Sequence, residues 1–148
     1  MAIVNTALTH GPIDTPPLTV AEAIAALLVA AVAVDGRVTT EEAARIGELL
    51  TASPLLRQRA NGSTRRLGEH AVALLTEHGL AAVVTGSAKA IPSDLRATTF
   101  ALVADVALAD GRIGDREKTF IDQLQGALQI DDATAVKILE VLLIKNRV

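Results

Sequence analysis

An unbroken apolar run, Ala23 to Val34, constrains the fold of this chain more than any other feature. Its 12 residues are all Ala, Ile, Leu or Val. That length falls well short of the ~20 apolar residues that a membrane-spanning helix needs. A second apolar stretch, Phe100 to Ala109, is interrupted by Asp105. We therefore predict that both stretches are buried helices of a soluble protein that does not span a membrane.

Helix-start signals recur along the rest of the chain, and no stretch shows the period-two alternation of a strand. These start positions carry short polar side chains that can accept a backbone hydrogen bond. They are Thr19, Thr39, Ser53, Ser93 and Asp131. Ser93 is expected to cap a helix that reaches Ala109, and Asp131 to cap a last helix that ends near Lys145. The predicted class is all-α, with seven or eight helices.

The length of 148 residues fits one domain. Residues 1–17 contain three of the five prolines and are predicted to form a flexible leader, which leaves 18–148 as the helical domain. The net charge of −3 gives no signal for nucleic acid, and the lack of Cys excludes disulfides and thiolate zinc sites. No enzyme motif is present, so we expect no catalytic residues and no enzymatic activity.

One phrase occurs twice. Residues 34–42 read VDGRVTTEE, and residues 109–117, which follow 75 positions later, read ADGRIGDRE. Each phrase follows an apolar helix and precedes an amphipathic one. Two such units, each with an apolar face to bury, predict two related halves packed with approximate two-fold symmetry.

The repeated residues have a purely structural interpretation. Gly36 and Gly111 can adopt the left-handed conformation that closes a helix. Glu42 and Glu117 can complete the start of the next helix. On this interpretation Val38 and Ile113 enter the core, and the turns hold no ion.

Asp35 and Asp110 fit that structural interpretation less well than the other repeated residues do. Each is predicted at the C-terminal end of a helix, where an acidic side chain is unfavourable by ~0.3–1 kcal/mol. Hydrogen bonds from loop amides to the carboxylate, or a bound cation, would offset this unfavourable interaction.

The spacing of the acids matches the second half of an EF-hand loop, with the Asp at its fifth position and the Glu at its twelfth. The acids of the first half of that loop are missing. A competent site would therefore need the carboxylates of both turns, which are Asp35, Glu42, Asp110 and Glu117. Asp105 and Asp115 would be spare acids, although Asp105 is better explained as a hydrogen-bond anchor. The residues alone leave the structural turn and the metal site both open.

The paired phrases AVAVDGRVTTEE and VALADGRIGDRE resemble the TerB family of tellurite-resistance proteins. The run IGELLTASPLL after the first phrase and the helix end at Leu128-Gln129-Ile130 also fit. The resemblance covers about residues 18–145. It implies a divalent cation such as Ca²⁺ or Mg²⁺ at the four acids, although Thr40 in the first half stands where the second has Asp115.

The resemblance further implies a cytoplasmic, non-enzymatic role in tellurite or metal stress, through contacts with other proteins of a stress-response system. The alternative is a purely structural helical adaptor with no bound ion. The oligomeric state is not predicted. His70 and His78 are too far apart for one metal, and the arginines of residues 57–66 are interpreted as a solvated helix junction.

Overall fold

The structure is a computed structural model, and it describes residues 18–35, 46–48, 50–59, 64–109, 111 and 113–147. For residues 35 and 57–59 it describes the backbone alone. The predicted leader, residues 1–17, lies outside the described part.

The all-α prediction is confirmed, because the described residues form eight α-helical segments and no strand. In chain order, α1 to α8 are Val20–Val32, residues 46–48 with 50–52, Pro54–Arg59, Thr64–His78, Leu80–Lys89, Arg96–Ala107, Asp115–Leu128 and Asp132–Lys145. Two 3₁₀ turns, Ala33–Asp35 and Ser93–Leu95, continue α1 and precede α6. No helix within the described ranges has both the length and the apolar character needed to cross a membrane.

Helix α1 is the centre of the fold. All residues from 23 to 31 are buried, and these positions cover every side of the helix. α1 packs against α4, α5 and α6. Alanine at five of these positions removes side-chain bulk, so neighbouring helices can approach closely while Ile24, Leu27 and Val29 fill the remaining space. The predicted burial of the apolar run is confirmed.

The start of α1 is fixed by two side chains. The Thr19 hydroxyl accepts a bond from the Glu22 amide, and Oε1 of Glu22 accepts one from the Thr19 amide at 2.8 Å. The other oxygen of Glu22, Oε2, lies 3.5 Å from Nδ1 of His70 on α4. The predicted capping box is thus present, and its acid also faces the neighbouring helix.

The prediction for Ser93 is wrong in detail. The 3₁₀ turn that contains Ser93 begins after Pro92, no side chain caps it, and the α-helix starts only at Arg96. Arg96 anchors this start instead, because its Nη1 donates to Oε1 of Gln129 at 2.6 Å. The capping signal of a serine after proline was therefore overridden by a contact distant in sequence.

Helix α8 is capped as predicted and lies along α6. Asp131 accepts bonds from the Thr134 amide and hydroxyl, and these bonds lower the pKa of its carboxyl. The ionised cap contributes stability above the ordinary pKa, and that contribution is lost as the pH falls through the lowered pKa. At the far end, Nζ of Lys145 lies 3.2 Å from Asp105, which also accepts from Nδ2 of Asn146 at 2.8 Å.

Two buried side-chain hydroxyls, those of Ser87 and Thr99, lack a hydrogen bond within the described part of the chain. Thr99 on α6 is fully buried, and its Oγ1 has no hydrogen-bond partner among the described residues. Burying such a hydroxyl costs free energy that an apolar group of the same shape does not.

We expect Thr99→Val to raise the free energy of unfolding by about 1 kcal/mol, which is about 2–4 °C in Tm for a chain of this size. The neighbouring Thr98 is exposed on the same helix, so Thr98→Val is the matched control and should change little. Urea unfolding of both variants measures the difference. A loss of stability in Thr99→Val would show that the hydroxyl has a bonded partner.

Candidate functional site

The first turn begins where α1 ends. The C-cap residue Ala33 has φ −87° and ψ 6°, and its amide donates to the carbonyl of Val29. The 3₁₀ turn then carries the backbone as far as Asp35. Asp35 therefore stands at the end of a helix, as predicted, and no basic residue occupies the last turn of α1. The side chain of Asp35 and the predicted site residue Glu42 lie outside the described part.

The second turn begins where α6 ends. Leu108 is its C-cap, and the amide of Gly111 donates to the carbonyl of Leu108 at 2.9 Å. Gly111 has φ +79°, so the left-handed conformation predicted for it is confirmed. It lies three residues after the C-cap instead of directly beside it, which makes the turn longer than a standard helix closure. Asp110, the third predicted site residue, is outside the described residues.

Glu117 is the one predicted ligand whose side chain is described. Its Oε1 accepts a hydrogen bond from the amide of Gly114 at 2.9 Å. A Cβ atom at Gly114 would overlap this oxygen, so a glycine suits the position. The bond is half of a capping box, since glycine has no side chain to return it. The predicted role of Glu117 at the start of the next helix is therefore confirmed.

Ile113 was expected in the core, and that expectation is wrong. Its exposed fraction is 45%. The short segment between Gly111 and Gly114 lies on the surface, so its apolar residue is not a core clip. Val38, the equivalent residue of the first turn, is outside the described part.

The start of the first turn contacts the helix that follows the second turn. The 3₁₀ turn Ala33–Asp35 packs against α7, the helix whose first turn carries Asp115 and Glu117. The start of the first turn therefore lies beside the helix that follows the second turn. Within the described ranges, no three His, Asp or Glu side chains are grouped closely enough to hold a metal. The side chains of Asp35, Glu42 and Asp110 lie outside those ranges.

Comparison with known proteins identifies the scaffold. The family model described as tellurite resistance protein TerB matches residues 21–139, which is most of the chain. The chain belongs to the TerB family. No curated protein matches it significantly, and no solved structure does either.

Asp105 of this TerB domain is not a spare ligand. Both of its oxygens lie 3.2 Å from Nζ of Lys145, and one also accepts from the side chain of Asn146. This carboxylate joins α6 to the end of α8, so the prediction of a hydrogen-bond anchor is confirmed. Asp115 is exposed at the start of α7, and its backbone carbonyl accepts from the hydroxyl of Thr119.

His70, His78 and Arg65 each lie near an acidic side chain. His70 faces Glu22, and Nε2 of His78 lies 3.9 Å from Glu77. Within residues 57–66, Nε of Arg65 lies 3.6 Å from Glu69, and both side chains are largely exposed. Arg65 and His70 are thus surface residues, whereas the side chain of His78 is only 19% exposed.

Sequence reasoning missed an apolar groove of about 1110 Å³ between α2 and the first half of α4. Small residues at Gly47, Ala52 and Gly68 line it, together with Ile46 and Val72. A Cβ at Gly68 would make only ordinary contacts with Leu50 and Ile46. The sequence signal for this groove is a glycine in each of the two helices, because a glycine has no side chain to fill the space.

Two substitutions of Glu117 distinguish what its hydrogen bond contributes to stability from what its charge contributes. In EDTA, Glu117→Ala should lower the free energy of unfolding by about 0.5–1.5 kcal/mol because the Gly114 amide loses its acceptor. Glu117→Gln keeps an acceptor oxygen and should lose only the ~0.3–1 kcal/mol of a charge near a helix start. Asp115→Asn removes a charge from the same helical turn and is the control. Equal losses in the Ala and Gln variants would contradict a capping role.

Proposed function

We propose that this TerB domain binds a divalent cation, Ca²⁺ or Mg²⁺, between its two Asp-Gly-Arg turns. The ligands in this proposal are Asp35, Glu42, Asp110 and Glu117. The observation that carries it is the packing of Ala33–Asp35 against α7. This contact supports a single site formed by acids of both turns.

The electrostatics of the helix ends support the same proposal. α1 and α6 both end without a basic residue in the last turn, and each is followed within a few residues by an aspartate. The helix dipole and the aspartate then place negative charge at the same position. A divalent cation there would be favoured by both.

The available oxygen atoms suit a hard cation. The last carbonyls of a helix lack intrahelical partners, and Ca²⁺ takes six to eight oxygen ligands that include carbonyls and water. Four carboxylates with such carbonyls would complete a site that neither turn completes alone. Glu117 uses Oε1 for the Gly114 amide, which leaves Oε2 to face a cation.

The other parts of the proposal concern the role of the domain. We propose a non-enzymatic protein-interaction module of a stress-response system, acting in the cytoplasm against tellurite or metal stress. Membership of the TerB family supports this role. The competing proposal is a structural adaptor that holds no ion, and the Glu117 cap is the observation that favours it.

Calorimetric titration tests the cation. EDTA-treated protein is titrated with Ca²⁺, Mg²⁺, Mn²⁺ and Zn²⁺, and binding heat is expected with at least one of them. Asp35→Asn and Asp110→Asn should each weaken binding about tenfold or more, because each removes one charged oxygen ligand.

Asp94→Asn is the matched control. Asp94 is exposed in the 3₁₀ turn before α6, whereas Asp110 comes after the other end of that helix in the sequence, and the helix is about 18 Å long. Binding should be unchanged in this variant. No heat with any of the four cations, or equal weakening in the control, would favour the structural adaptor instead.

A further inference from the structure

The outward face of α8 is unusually apolar for a helix on the surface. Three of its large apolar residues are mostly exposed, namely Val136 at 52%, Val141 at 62% and Ile144 at 74%. At about 100° per residue these three positions fall within an arc of about 140°, which lies opposite the buried residues Ala135 and Leu142. Ala133, Lys137 and Glu140 are exposed on the same side.

The opposite side of α8 attaches the helix to the domain. Ala135 and Leu142 are its buried residues, and α6 is its main neighbour. A polar contact, Asp105 with Lys145, fixes the C-terminal ends of this pair, while Arg96 at the start of α6 donates to Gln129, the C-cap of α7. α8 is therefore held in place by α6, and its outward face takes no part in that contact.

The outward face is complementary to itself when the helix is reversed. Consider a second copy of α8 that runs antiparallel, with the two-fold axis at the level of residues 138 and 139. Lys137 then lies at the level of the partner's Glu140, and Glu140 at the level of the partner's Lys137. Ala133 lies at the level of the partner's Ile144, which pairs a small side chain with a large one. Val136 lies at the level of the partner's Val141, and Val141 at the level of the partner's Val136.

We propose that two copies of this protein associate through α8 in this antiparallel arrangement. The charges decide between possible partners, because a two-fold contact requires one surface to match itself. The face carries one positive and one negative residue at positions that exchange under the two-fold rotation. The apolar residues on either side of this charge pair would supply the apolar burial that drives association.

The dimer is weak. A helix of 14 residues is about 21 Å long, so a single pair of helices buries less than the ~1,600 Å² of a standard interface. We expect a dissociation constant on the order of 10–100 μM. Sedimentation of the full chain should therefore show a monomer at low concentration and a dimer as the concentration rises.

Charge reversal tests the pairing directly. Lys137→Glu places like charges at the same level twice, where residue 137 of each copy meets residue 140 of the other. Glu140→Lys does the same. Each single variant should weaken association about tenfold or more. The double variant K137E/E140K restores opposite charges and should associate like the original chain. All three changes are at exposed positions, so circular dichroism should report an unchanged fold.

A mixture of the two single variants tests the pairing of residues 137 and 140 most specifically. One copy then carries Glu at both positions and the other carries Lys at both, so every layer of a mixed dimer is matched. The mixture should dimerise although each variant alone does not. Lys118→Glu on α7 makes the same charge change at another exposed position and should leave association unchanged.

A chain that stays monomeric up to about 1 mM, or single variants that associate as well as the original, would overturn the proposal. The face would then belong to a different protein or remain uncovered. Failure of the single variants to complement one another would equally overturn it. Association is measured in EDTA, so these outcomes do not depend on the proposed cation.

Discussion

The structure depends on the burial of α1. Its central residues are inaccessible on every side, which is possible only when other helices surround it. Burial of apolar surface stabilises the folded state by roughly 25 cal/mol per Å². A helix enclosed on all sides buries apolar surface against each of its neighbours. α4, α5 and α6 are all positioned by the same short, alanine-rich helix. Among the helices that the structure describes, none contacts as much of the domain.

The position of α1 also determines where the first Asp-Gly-Arg turn starts. The chain leaves the core through the 3₁₀ turn Ala33–Asp35, which packs on α7. α7 itself begins just after the second turn, and the amide of its N-cap residue Gly114 is bonded to Glu117. The start of the first turn is therefore in contact with the helix that follows the second. The proposal of one cation site shared by the two turns is based on this contact.

Local rules predicted the helices well. The helix starts at Thr19 and Asp131 were both predicted correctly, because a cap depends on residues within four positions of one another. The apolar run identified α1 for a different reason, since a segment with no polar residue has to be buried. The family resemblance was confirmed over residues 21–139.

Contacts distant in sequence were not predictable in the same way. Arg96 reaches Gln129 across 33 positions, and this contact sets the start of α6 in place of a Ser93 cap. The exposure of Ile113 and the groove beside α4 likewise depend on how helices meet. Of the four predicted ligands, only the side chain of Glu117 lies in the described part, so the metal site stays a prediction.

Native-state hydrogen exchange of the α1 amides tests the central role of this helix most directly. The account predicts that amides of residues 24–31 exchange only when the whole domain unfolds, with the denaturant dependence of global unfolding. Amides of α8, which is held mainly by α6, should exchange through smaller openings. Exchange of the α1 amides as fast as those of α8 would contradict the account.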